Sequence, residues 1–414
     1  MRASFKITDA NAIMVFDSRG SETVEVELWS EKVSARVSAP SGKSRGSREA
    51  VPFSSNEVKK SLEAFRKVLK SRLIGFDAAD QLGLDTMLKE VDGTENFSNL
   101  GGNLAYAVSA CAIVLTSRLR DIAPWRYIAE LSGIKPAIPL PLGNVLGGGA
   151  HAGAGSPDIQ EFLVFPSRPK TVEEAVKTNI EVHRRLGNIL MNKAGRYGGG
   201  KGDEGGYAPP LDDIAALQSV AEASEGLSVG LGLDVAASSL YDVSAKRYVY
   251  RNRGERKTVK EQMDYIAGLV ERYRIRYVED PFDESDFESF TRLCDAFPKL
   301  LVCGDDLVVT RPELVRKAAE SGAVRAVILK PNQVGTVSDT IKAAVEAERH
   351  GIVRVVSHRS GETCDSFLSH LAIGLGGKFI KAGVVGGERV AKLNELLRIH
   401  QTDGSLHLQE VDLD

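Results

Sequence analysis

The sequence predicts a (β/α)8 barrel preceded by a smaller α+β domain, and two observations lead to that prediction. Six short apolar runs in the second two thirds of the chain each end in a polar residue, with stretches long enough for one helix between them. Strand, polar tip and helix repeated in this way are typical of a parallel sheet, and six units in a row favour a closed barrel. The second observation is length, because 414 residues exceed one typical domain. We therefore expect an α+β capping domain over residues 1–132 and the barrel over residues 133–414.

The first domain carries strand signals followed by helix signals. Residues 4–28 alternate between apolar and polar side chains, which predicts a half-exposed antiparallel strand, with a turn at 17–20 before it. Residues 55–74 place apolar side chains at helical spacing, and we expect the polar residues 54–56 to cap that helix. A second, more apolar helix is predicted over residues 103–119. Strands that precede helices in this way indicate an α+β domain.

The six apolar runs end in side chains that are common in catalysis and metal binding. The runs and their terminal residues are LSVGLGLD with Asp234, IRYVED with Glu279 and Asp280, LLVCGDD with Asp305 and Asp306, AVILK with Lys330, VRVVSHRS with residues 358–360, and KFIKAG with Lys381. The carboxyl ends of barrel strands lie at one face, so all six tips should face one pocket. Among the helices between them, Thr171 with Glu174 and Thr310 with Glu313 have the spacing of capping boxes.

Composition and charge restrict the class of partner. Lysine and arginine (53) nearly balance aspartate and glutamate (56), for a formal net charge of -3, so no overall field favours nucleic acid or an anionic membrane. The four cysteines show no C-x-x-C spacing, and neither an N-terminal apolar segment nor a long apolar span is evident. We therefore expect a cytoplasmic protein that binds a small molecule and neither nucleic acid nor membrane.

Two glycine-containing stretches are less specific signals. SGKS at 41–44 looks like the end of a phosphate-binding P-loop, but that loop needs glycine where Val37 stands, so we reject it. The stretch VLGGGAHAGAGSP at 145–157 is either a flexible connection or a lid. Its length and its place above the first barrel strands favour the lid.

Three of the strand ends predict a metal site. Asp234, Glu279 and Asp305 would repel one another in a shared pocket unless a cation lay between them. Carboxylates without a neighbouring cysteine or histidine pair suit a hard cation, and magnesium is the first choice. Lys330 and Lys381 would stand across from that ion, where each other's charge and the cation lower the cost of losing a proton. A lysine made neutral in this way would remove a proton from the carbon next to a metal-bound carboxylate, and the metal would stabilise the enediolate.

A β-elimination also needs an acid for the leaving group, and two positions offer one. The glycine-flanked turn GDEGGYAPP supplies Asp203 and Glu204, and the QEF segment supplies Glu161. In the HRS segment, Arg359 and Ser360 offer a guanidinium fork and a hydroxyl to an anionic group, which phosphate would satisfy. The residues alone thus indicate metal-assisted proton abstraction from a phosphorylated carboxylic acid.

The chain also resembles enolase, the phosphopyruvate hydratase family, over nearly its whole length. The matching segments are DSRG and TVEVEL within 17–28, APSG at 39–42, HAG at 151–153, DIQEF at 158–162, GDEGGYAP, GLDVAAS, VEDPFDE, GDDLVVT, LKPNQVGT, SHRSGET and ERVAKLNELLRI at 388–399. So many segments in one order make the resemblance highly specific.

The resemblance implies a fold, a reaction and an assembly. The fold is an enolase-type (β/α)8 barrel with irregular first units. The reaction is the reversible dehydration of 2-phosphoglycerate to phosphoenolpyruvate in glycolysis and gluconeogenesis, by a cytoplasmic lyase with two Mg²⁺ ions per active site. The assembly is a homodimer or a higher oligomer such as an octamer, and Glu25 with Arg398 matches a family pair across the dimer interface.

The resemblance further implies a role for each residue of the site. Lys330 would abstract the proton, as is general for a superfamily that uses a lysine or histidine base with magnesium, and Glu204 would protonate the departing hydroxyl. Glu161 would support that acid, Lys381 would bind the substrate carboxylate, and His151 would close over the site. The implied metal ligands are Asp234, Glu279 and Asp305, with Ser44 for the second ion, and the implied substrate-binding residues are Gln160, Ser357, His358, Arg359, Ser360 and Lys381.

The SGKSRG loop departs from the family pattern, and two alternative functions stay open. The chain reads SGKSRG where SGASTG is usual, so Lys43 and Arg45 add two cations beside Ser44, and we expect a changed dependence on the second magnesium. One alternative is a lyase or isomerase of the wider superfamily that acts on another carboxylic acid, and the other is a non-catalytic binding paralogue. The His151 loop with HRSGET argues against the first alternative, and the complete catalytic set argues against the second.

Overall fold

The N-terminal part of the chain folds as an antiparallel sheet covered by helices. The structure is a computed structural model that describes residues 5–43, 46–153, 155–193 and 197–412. The strands and helices here are β1 (Asp9–Phe16), β2 (Glu22–Ser30), β3 (Val33–Ser38), α1 (Val58–Ala64), α2 (Lys70–Leu73), α3 (Gln81–Asp92), α4 (Gly102–Leu119) and α5 (Pro124–Ser132). On β2, Val24, Val26 and Leu28 are fully buried, whereas Glu25 and Glu27 are partly exposed, which confirms the predicted half-exposed strand.

The predicted helix over 55–74 is present, but its predicted cap is wrong. The apolar stripe is buried, and residues 65–69 form a π-helical turn that joins α1 to α2. Residues 54–56 form a separate 3-10 turn, in which Ser55 and Asn56 have positive φ. The backbone N–H of Ser54 donates to the hydroxyl of Ser61 over 2.9 Å, which holds this turn against the helix. Glu57 therefore precedes the helix without a side-chain cap.

In the described chain, the second part contains a closed barrel of eight strands and a small separate sheet. In chain order the strands are β4 (Leu140–Gly147), β5 (Glu161–Pro166), β6 (Val229–Asp234), the small-sheet strands β7 (Tyr241–Asp242), β8 (Arg247–Tyr250) and β9 (Glu255–Lys257), and then β10 (Tyr277–Glu279), β11 (Leu301–Gly304), β12 (Ala326–Leu329), β13 (Val353–Ser357) and β14 (Phe379–Lys381). Neighbouring strands in the barrel follow the order β4, β5, β6, β10, β11, β12, β13 and β14. The barrel closes because β14 pairs with β4. Only β5 runs antiparallel to its neighbours. The expected barrel with irregular first units is confirmed.

Helices cover the outside of the barrel. They are α6 (Val172–Lys193), α7 (Asp213–Ser224), α8 (Val259–Tyr273), α9 (Phe287–Ala296), α10 (Pro312–Glu320), α11 (Pro331–Val334), α12 (Val337–Arg349), α13 (Phe367–Gly374) and α14 (Gly387–Thr402). At the start of α6, the Thr171 hydroxyl accepts from the Glu174 backbone, as in the predicted capping box, whereas the Glu174 carboxylate accepts from the backbone of Lys170 and not of Thr171. The capping box predicted at Thr310 is wrong, because the Thr310 hydroxyl accepts from the backbone N–H of Lys330 instead.

The longest apolar helix of the first domain is part of its core. In the described residues, α4 is the single helix that is long and apolar enough to cross a membrane. The same window is 83% buried inside the protein, where α4 packs on β2 and β3. The next helix, α5, ends at Ser132, and β4 begins at Leu140. The boundary proposed between residues 132 and 133 stays a prediction.

Candidate active site

The candidate site lies at the rim where the parallel strands of the barrel end. β6 ends at Asp234 and β10 ends at Glu279, and these two residues are direct partners in the strand register. Asp305 follows β11 directly, Lys330 follows β12, and Lys381 is the last residue of β14. Parallel barrel strands bring their carboxyl ends to one face, so residues far apart in the chain meet here.

The irregular strand β5 brings Glu161 to the same rim. Because β5 runs antiparallel to its neighbours, its first residue lies at this rim, opposite Asp234 in the register. The side chain of the preceding residue, Gln160, donates from Nε2 to Asp234 over 3.4 Å. His151 ends a 3-10 turn after β4, and Glu204 lies in the connection between α6 and α7. Both side chains are buried.

Nearly every residue predicted for the site lines one cavity. Its lining includes His151, Gln160, Glu161, Glu204, Asp234, Asp305, Lys330, Ser357, His358, Arg359, Ser360 and Lys381. Glu279 is fully buried and contacts the Lys381 ammonium with both carboxylate oxygens, each over 3.0 Å. Ser44 and Arg45 lie outside the described residues, so the expected ligand of a second ion stays a prediction.

Lys381 is surrounded by carboxylates. Its Nζ lies 2.8 Å from Oδ2 of Asp234 and 3.3 Å from Oε2 of Glu161, in addition to its contacts with Glu279. Burial disfavours the charged amine, but the negative charges of Asp234, Glu161 and Glu279 outweigh burial and hold the pKa of Lys381 well above its usual value. Lys381 therefore stays an ammonium, which suits the binding of an anion better than the removal of a proton.

Lys330 belongs to a ring of hydrogen bonds around Asp305. Its Nζ donates to one carboxylate oxygen of Asp305, and the side-chain amide of Gln333 donates to the other over 2.9 Å. The Thr310 hydroxyl donates to Gln333 over 2.6 Å and accepts from the Lys330 backbone over 2.8 Å. Burial is the largest single influence and lowers the pKa of Lys330, whereas the charges of Asp305 and Glu279 raise it, and the net shift is upward. The expected lowering of this pKa assumed a divalent cation beside the two lysines, so it stays a prediction.

Asp280 and Asp306 lie beside Asp305, and the sequence did not indicate a role for either of them. Oxygen atoms of Asp280, Asp305 and Asp306 all lie within 4.8 Å of one another. Asp280 accepts the backbone N–H groups of Asp305 over 3.0 Å and of Asp306 over 2.7 Å, so it fixes the turn after β11. Burial, with the charges of Asp306 and Asp305, raises the pKa of Asp280 well above its usual value. The paired acids in VED and GDD were the only sequence signal for this arrangement.

Glu204 lies in a second cluster that contains two histidines. Its Oε2 lies 3.2 Å from Nε2 of His358 and accepts from the amide of Asn144 over 3.4 Å. Nδ1 of His151 lies 3.7 Å from Glu204 and 3.5 Å from Glu161. Burial and the charge of Glu204 raise the pKa of Glu161 well above its usual value. Burial also acts against the charged form of Glu204, whereas the hydrogen bond with His358 and the charge of Arg389 favour that form, and the net shift of the Glu204 pKa is downward.

Arg359 is buried in a pocket shaped to its guanidinium. Its Nη2 lies 2.9 Å from a carboxylate oxygen of Glu49, and its Nη1 donates to Asn332 over 3.0 Å. Burial works against the charge, but Glu49 raises the pKa of Arg359, so the guanidinium stays charged. A Cβ at Gly42 would lie 2.0 Å from Nη2, so a side chain at Gly42 would displace Arg359. Glu49 and Asn332 were not singled out from the sequence.

The donor set of the rim fits a hard divalent cation. The buried carboxylates are Glu161, Asp234, Glu279 and Asp305, and the ammonium groups facing them are Lys330 and Lys381. Burial, together with the charge of Asp234, raises the pKa of Glu279 to about 8, so the charged carboxylate is disfavoured unless a further cation compensates it. The amide oxygen of Gln160 is buried and has no hydrogen-bond partner among the described residues. Excess negative charge presented by oxygen ligands suits Mg²⁺ and similar cations.

The chain matches two family models and many known proteins. The model described as the enolase N-terminal domain matches residues 7–128, and that described as the enolase C-terminal TIM barrel domain matches residues 135–408. A relative named enolase from Methanosphaera stadtmanae is 44% identical over 95% of this chain and 97% of its own length. Similar relatives with the same name come from Methanothermobacter thermautotrophicus, at 42% over 95% and 96%, and from Archaeoglobus fulgidus, at 44% over 95% and 97%.

Proposed function

The chain belongs to the enolase family, and on that premise we propose that it catalyses the reversible dehydration of 2-phosphoglycerate to phosphoenolpyruvate in glycolysis and gluconeogenesis. The observation that supports this proposal most strongly is that Lys330 and Glu204 line one cavity but lie in different hydrogen-bond clusters. An elimination needs a base at one carbon and an acid at the leaving group of the next, and these two side chains fill those roles.

A divalent metal requirement follows from family membership, and we propose that the metal is Mg²⁺ with two ions per active site. Asp234, Glu279 and Asp305 would hold the first ion, and Ser44 would contribute to the second. When bound, the cation supplies positive charge that stabilises the negative charge developing on the substrate carboxylate.

We assign Lys330 as the base. It is the lysine of the cavity with a single carboxylate partner among the described residues, because Asp305 contacts Lys330 whereas three carboxylates surround Lys381. Asp305 is the group that keeps the proton on Lys330, while the charges of Arg359 and Lys381 favour the neutral amine. Lys330 therefore becomes a base once the charge of Asp305 is compensated by something other than the lysine.

We assign Glu204 as the acid and Glu161 as its proton-holding neighbour. Burial and the charge of Glu204 raise the pKa of Glu161 and so favour its protonated form, and His151 lies within 3.7 Å of both carboxyl groups. A proton shared within this cluster is available to the departing hydroxyl through Glu204. Nε2 of His358 lies 3.2 Å from Glu204, and a proton on that nitrogen would stabilise the carboxylate that remains after Glu204 gives up its proton.

The substrate would be held by cationic and hydroxyl groups at two ends. Lys381 would pair with the carboxylate of the substrate. Arg359 and Ser360 would bind the phosphate, because a buried guanidinium that stays charged is matched to phosphate geometry. Gln160, Ser357 and His358 line the same cavity and would complete the contacts, while His151 would close over them.

We further propose a cytoplasmic homodimer, with a higher oligomer such as an octamer as the alternative. The edge strand β1 exposes Ile13, Met14 and Phe16, and an exposed apolar strip on a sheet edge favours an interface. Glu25 lies on the neighbouring strand, and it and Arg398 are the residues we expect to pair between subunits. The partner inside the active site would be a small phosphorylated acid and not nucleic acid or a membrane.

A direct assay tests this proposal. Purified protein is incubated with Mg²⁺ and 2-phosphoglycerate, or with Mg²⁺ and phosphoenolpyruvate for the reverse reaction. The absorbance of phosphoenolpyruvate is followed in both cases. We expect phosphoenolpyruvate to form only when the divalent ion is present. Turnover of a different carboxylic acid, with none of 2-phosphoglycerate, would instead support a lyase or isomerase of the wider superfamily. Binding of 2-phosphoglycerate without turnover would support a binding paralogue.

A further inference from the structure

Arg389 is a fully buried arginine that contacts the proposed acid cluster but not its carboxylates. It is the third residue of α14. Its Nη1 lies 2.7 Å from Nδ1 of His358 and donates to the carbonyl of Arg359 over 2.6 Å. Its Nη2 donates to the carbonyls of Ser360 over 2.6 Å and Asp203 over 3.1 Å. The guanidinium thus touches the two loops that carry the acid and the phosphate-binding residues.

The contact with His358 has a consequence for the histidine tautomer. A guanidinium has five N–H donors and no acceptor, so the ring nitrogen that faces it must accept. Nδ1 of a neutral imidazole accepts only when the proton is on Nε2. Burial, helped by the charge of Arg389, lowers the pKa of His358 to about 4, so the ring is neutral near pH 7. Nε2 therefore carries the proton and points it at Glu204, 3.2 Å away.

The other tautomer would present a different group to Glu204. With the proton on Nδ1, a lone pair of Nε2 would face the carboxylate, and the two acceptors would repel each other. A fixed N–H donor instead stabilises the carboxylate that forms as Glu204 gives up its proton to the leaving group.

We infer that Arg389 is a positioning residue for the elimination step, because it selects the Nε2–H tautomer of His358 and so keeps a hydrogen-bond donor aimed at Glu204. This inference rests on the proposed role of Glu204 as the acid. The tautomer of His358 can be measured without any turnover. A failure of the proposed function can therefore be told apart from a failure of this inference.

The tautomer is read from the ring-nitrogen signals of His358 in protein labelled with 15N-histidine. The chain has 7 histidines, and the His358→Gln variant assigns the signals of His358 by their loss. In the wild type we expect a protonated Nε2 and an unprotonated Nδ1 at pH 7. A wild-type spectrum with the proton on Nδ1 overturns the inference, whatever the enzyme does.

Two substitutions then test the role of Arg389. Arg389→Met removes every donor and should shift His358 toward a mixture of tautomers and lower kcat at least ~10-fold, with KM changed less than ~2-fold. Arg389→Lys keeps a donor and no acceptor, so it should retain the Nε2–H tautomer and recover part of kcat. Unchanged tautomer and kcat in Arg389→Met, or loss of the tautomer in Arg389→Lys, contradicts the inference.

A matched control separates positioning from general damage to α14. Lys392 lies one turn further along the helix, is equally buried, and holds the carbonyls of Thr363 and Asp365 over 2.8 Å each. Lys392→Met should leave the tautomer of His358 unchanged even if it lowers stability. If Arg389→Met does not fold, the wild-type and Arg389→Lys spectra still decide the question. A rise in KM alone in Arg389→Met would show that the arginine acts only on the phosphate-binding loop, and would overturn the inference.

Discussion

The ammonium of Lys43 lies 3.2 Å from a carboxylate oxygen of Asp203, so a loop of the N-terminal domain contacts the barrel loop that carries the proposed acid. The backbone N–H of Lys43 also donates to the hydroxyl of Ser360 over 2.9 Å. Asp203, which was one of two acids offered by the GDEGG turn, therefore faces a lysine, and its neighbour Glu204 faces the cavity. The Lys43 side chain is 47% exposed, and exposed pairs of this kind contribute at most about 1 kcal/mol to stability.

The first prediction concerns the SGKSRG loop and magnesium. The double variant Lys43→Ala with Arg45→Thr removes two positive charges beside Ser44, which should strengthen binding of a second divalent cation. A titration of activity with Mg²⁺ should therefore reach half-maximum at a lower concentration than in the wild type. Lys342→Ala on the exposed face of α12 is a control for loss of a surface charge. Superimposable titration curves for the double variant and the wild type would remove this explanation of the loop.

The second prediction separates the acid from the base. Glu204→Gln removes the carboxyl that we propose protonates the leaving hydroxyl, and it leaves the contacts of Lys330 intact. Formation of phosphoenolpyruvate should fall at least ~100-fold, whereas exchange of the proton on carbon 2 of 2-phosphoglycerate with D2O should persist. Both rates are read by NMR from one sample. Loss of the exchange together with turnover would show that Glu204 is needed before proton abstraction, against its assignment as the acid.

The barrel and its rim were predictable from the sequence for a simple physical reason. A parallel barrel brings every strand end to one face, so Asp234, Lys330 and Lys381 had to meet once their runs were identified as neighbouring strands. The partners of those residues were not predictable in this way. Thr310 was expected to cap α10, yet it binds the backbone of Lys330, because a hydroxyl near a helix start has more than one acceptor and donor within reach.

The same limit applies to the protonation state of the site. The sequence indicated two lysines near a cation and hence a lowered pKa, but the outcome depends on which carboxylate contacts which amine. Asp305 contacts Lys330 directly and raises its pKa. The contact of Arg389 could not be predicted either. Nothing in the ERVAK segment indicates that its arginine contacts the ring of a histidine 31 residues away.

The third prediction is a pH dependence of stability that comes from Asp213. This buried carboxylate accepts from the backbone of Ile159 over 3.0 Å and from the Tyr265 hydroxyl over 3.1 Å. Burial raises the pKa of Asp213 from 3.8 to about 6. Between these values the folded state binds more protons than the unfolded state, so this group's stabilising effect is full below pH 3.8 and is lost as pH rises through about 6.

The variant Asp213→Asn tests that sign. Asparagine cannot titrate, but it still accepts from Ile159 and can donate to Tyr265. Relative to the variant, the wild type should therefore lose about 3 kcal/mol of unfolding free energy on going from acid pH to pH 7. Urea denaturation at several pH values measures the difference. A difference between the two proteins that stays constant with pH would contradict the raised pKa.

The fourth prediction concerns the proposed dimer. Phe16 is 63% exposed on the edge strand β1, beside the exposed Met14. Phe16→Glu places a charge in the proposed interface and should shift the protein toward monomers in sedimentation-velocity experiments. Val243→Glu is the matched control, because Val243 is 76% exposed elsewhere on the surface. Dissociation by the control variant, or none by Phe16→Glu, would place the interface somewhere other than β1.

The proposed mechanism requires Lys330 to take the proton from carbon 2 of the substrate. The decisive measurement is the exchange of the carbon 2 proton of 2-phosphoglycerate with D2O, followed by NMR in the wild type and in Lys330→Ala, with Mg²⁺ present. We predict that the wild type exchanges this proton and forms phosphoenolpyruvate, and that Lys330→Ala loses both rates by at least ~100-fold. Exchange and turnover that survive nearly unchanged in Lys330→Ala would contradict the assignment of the base and the mechanism built on it.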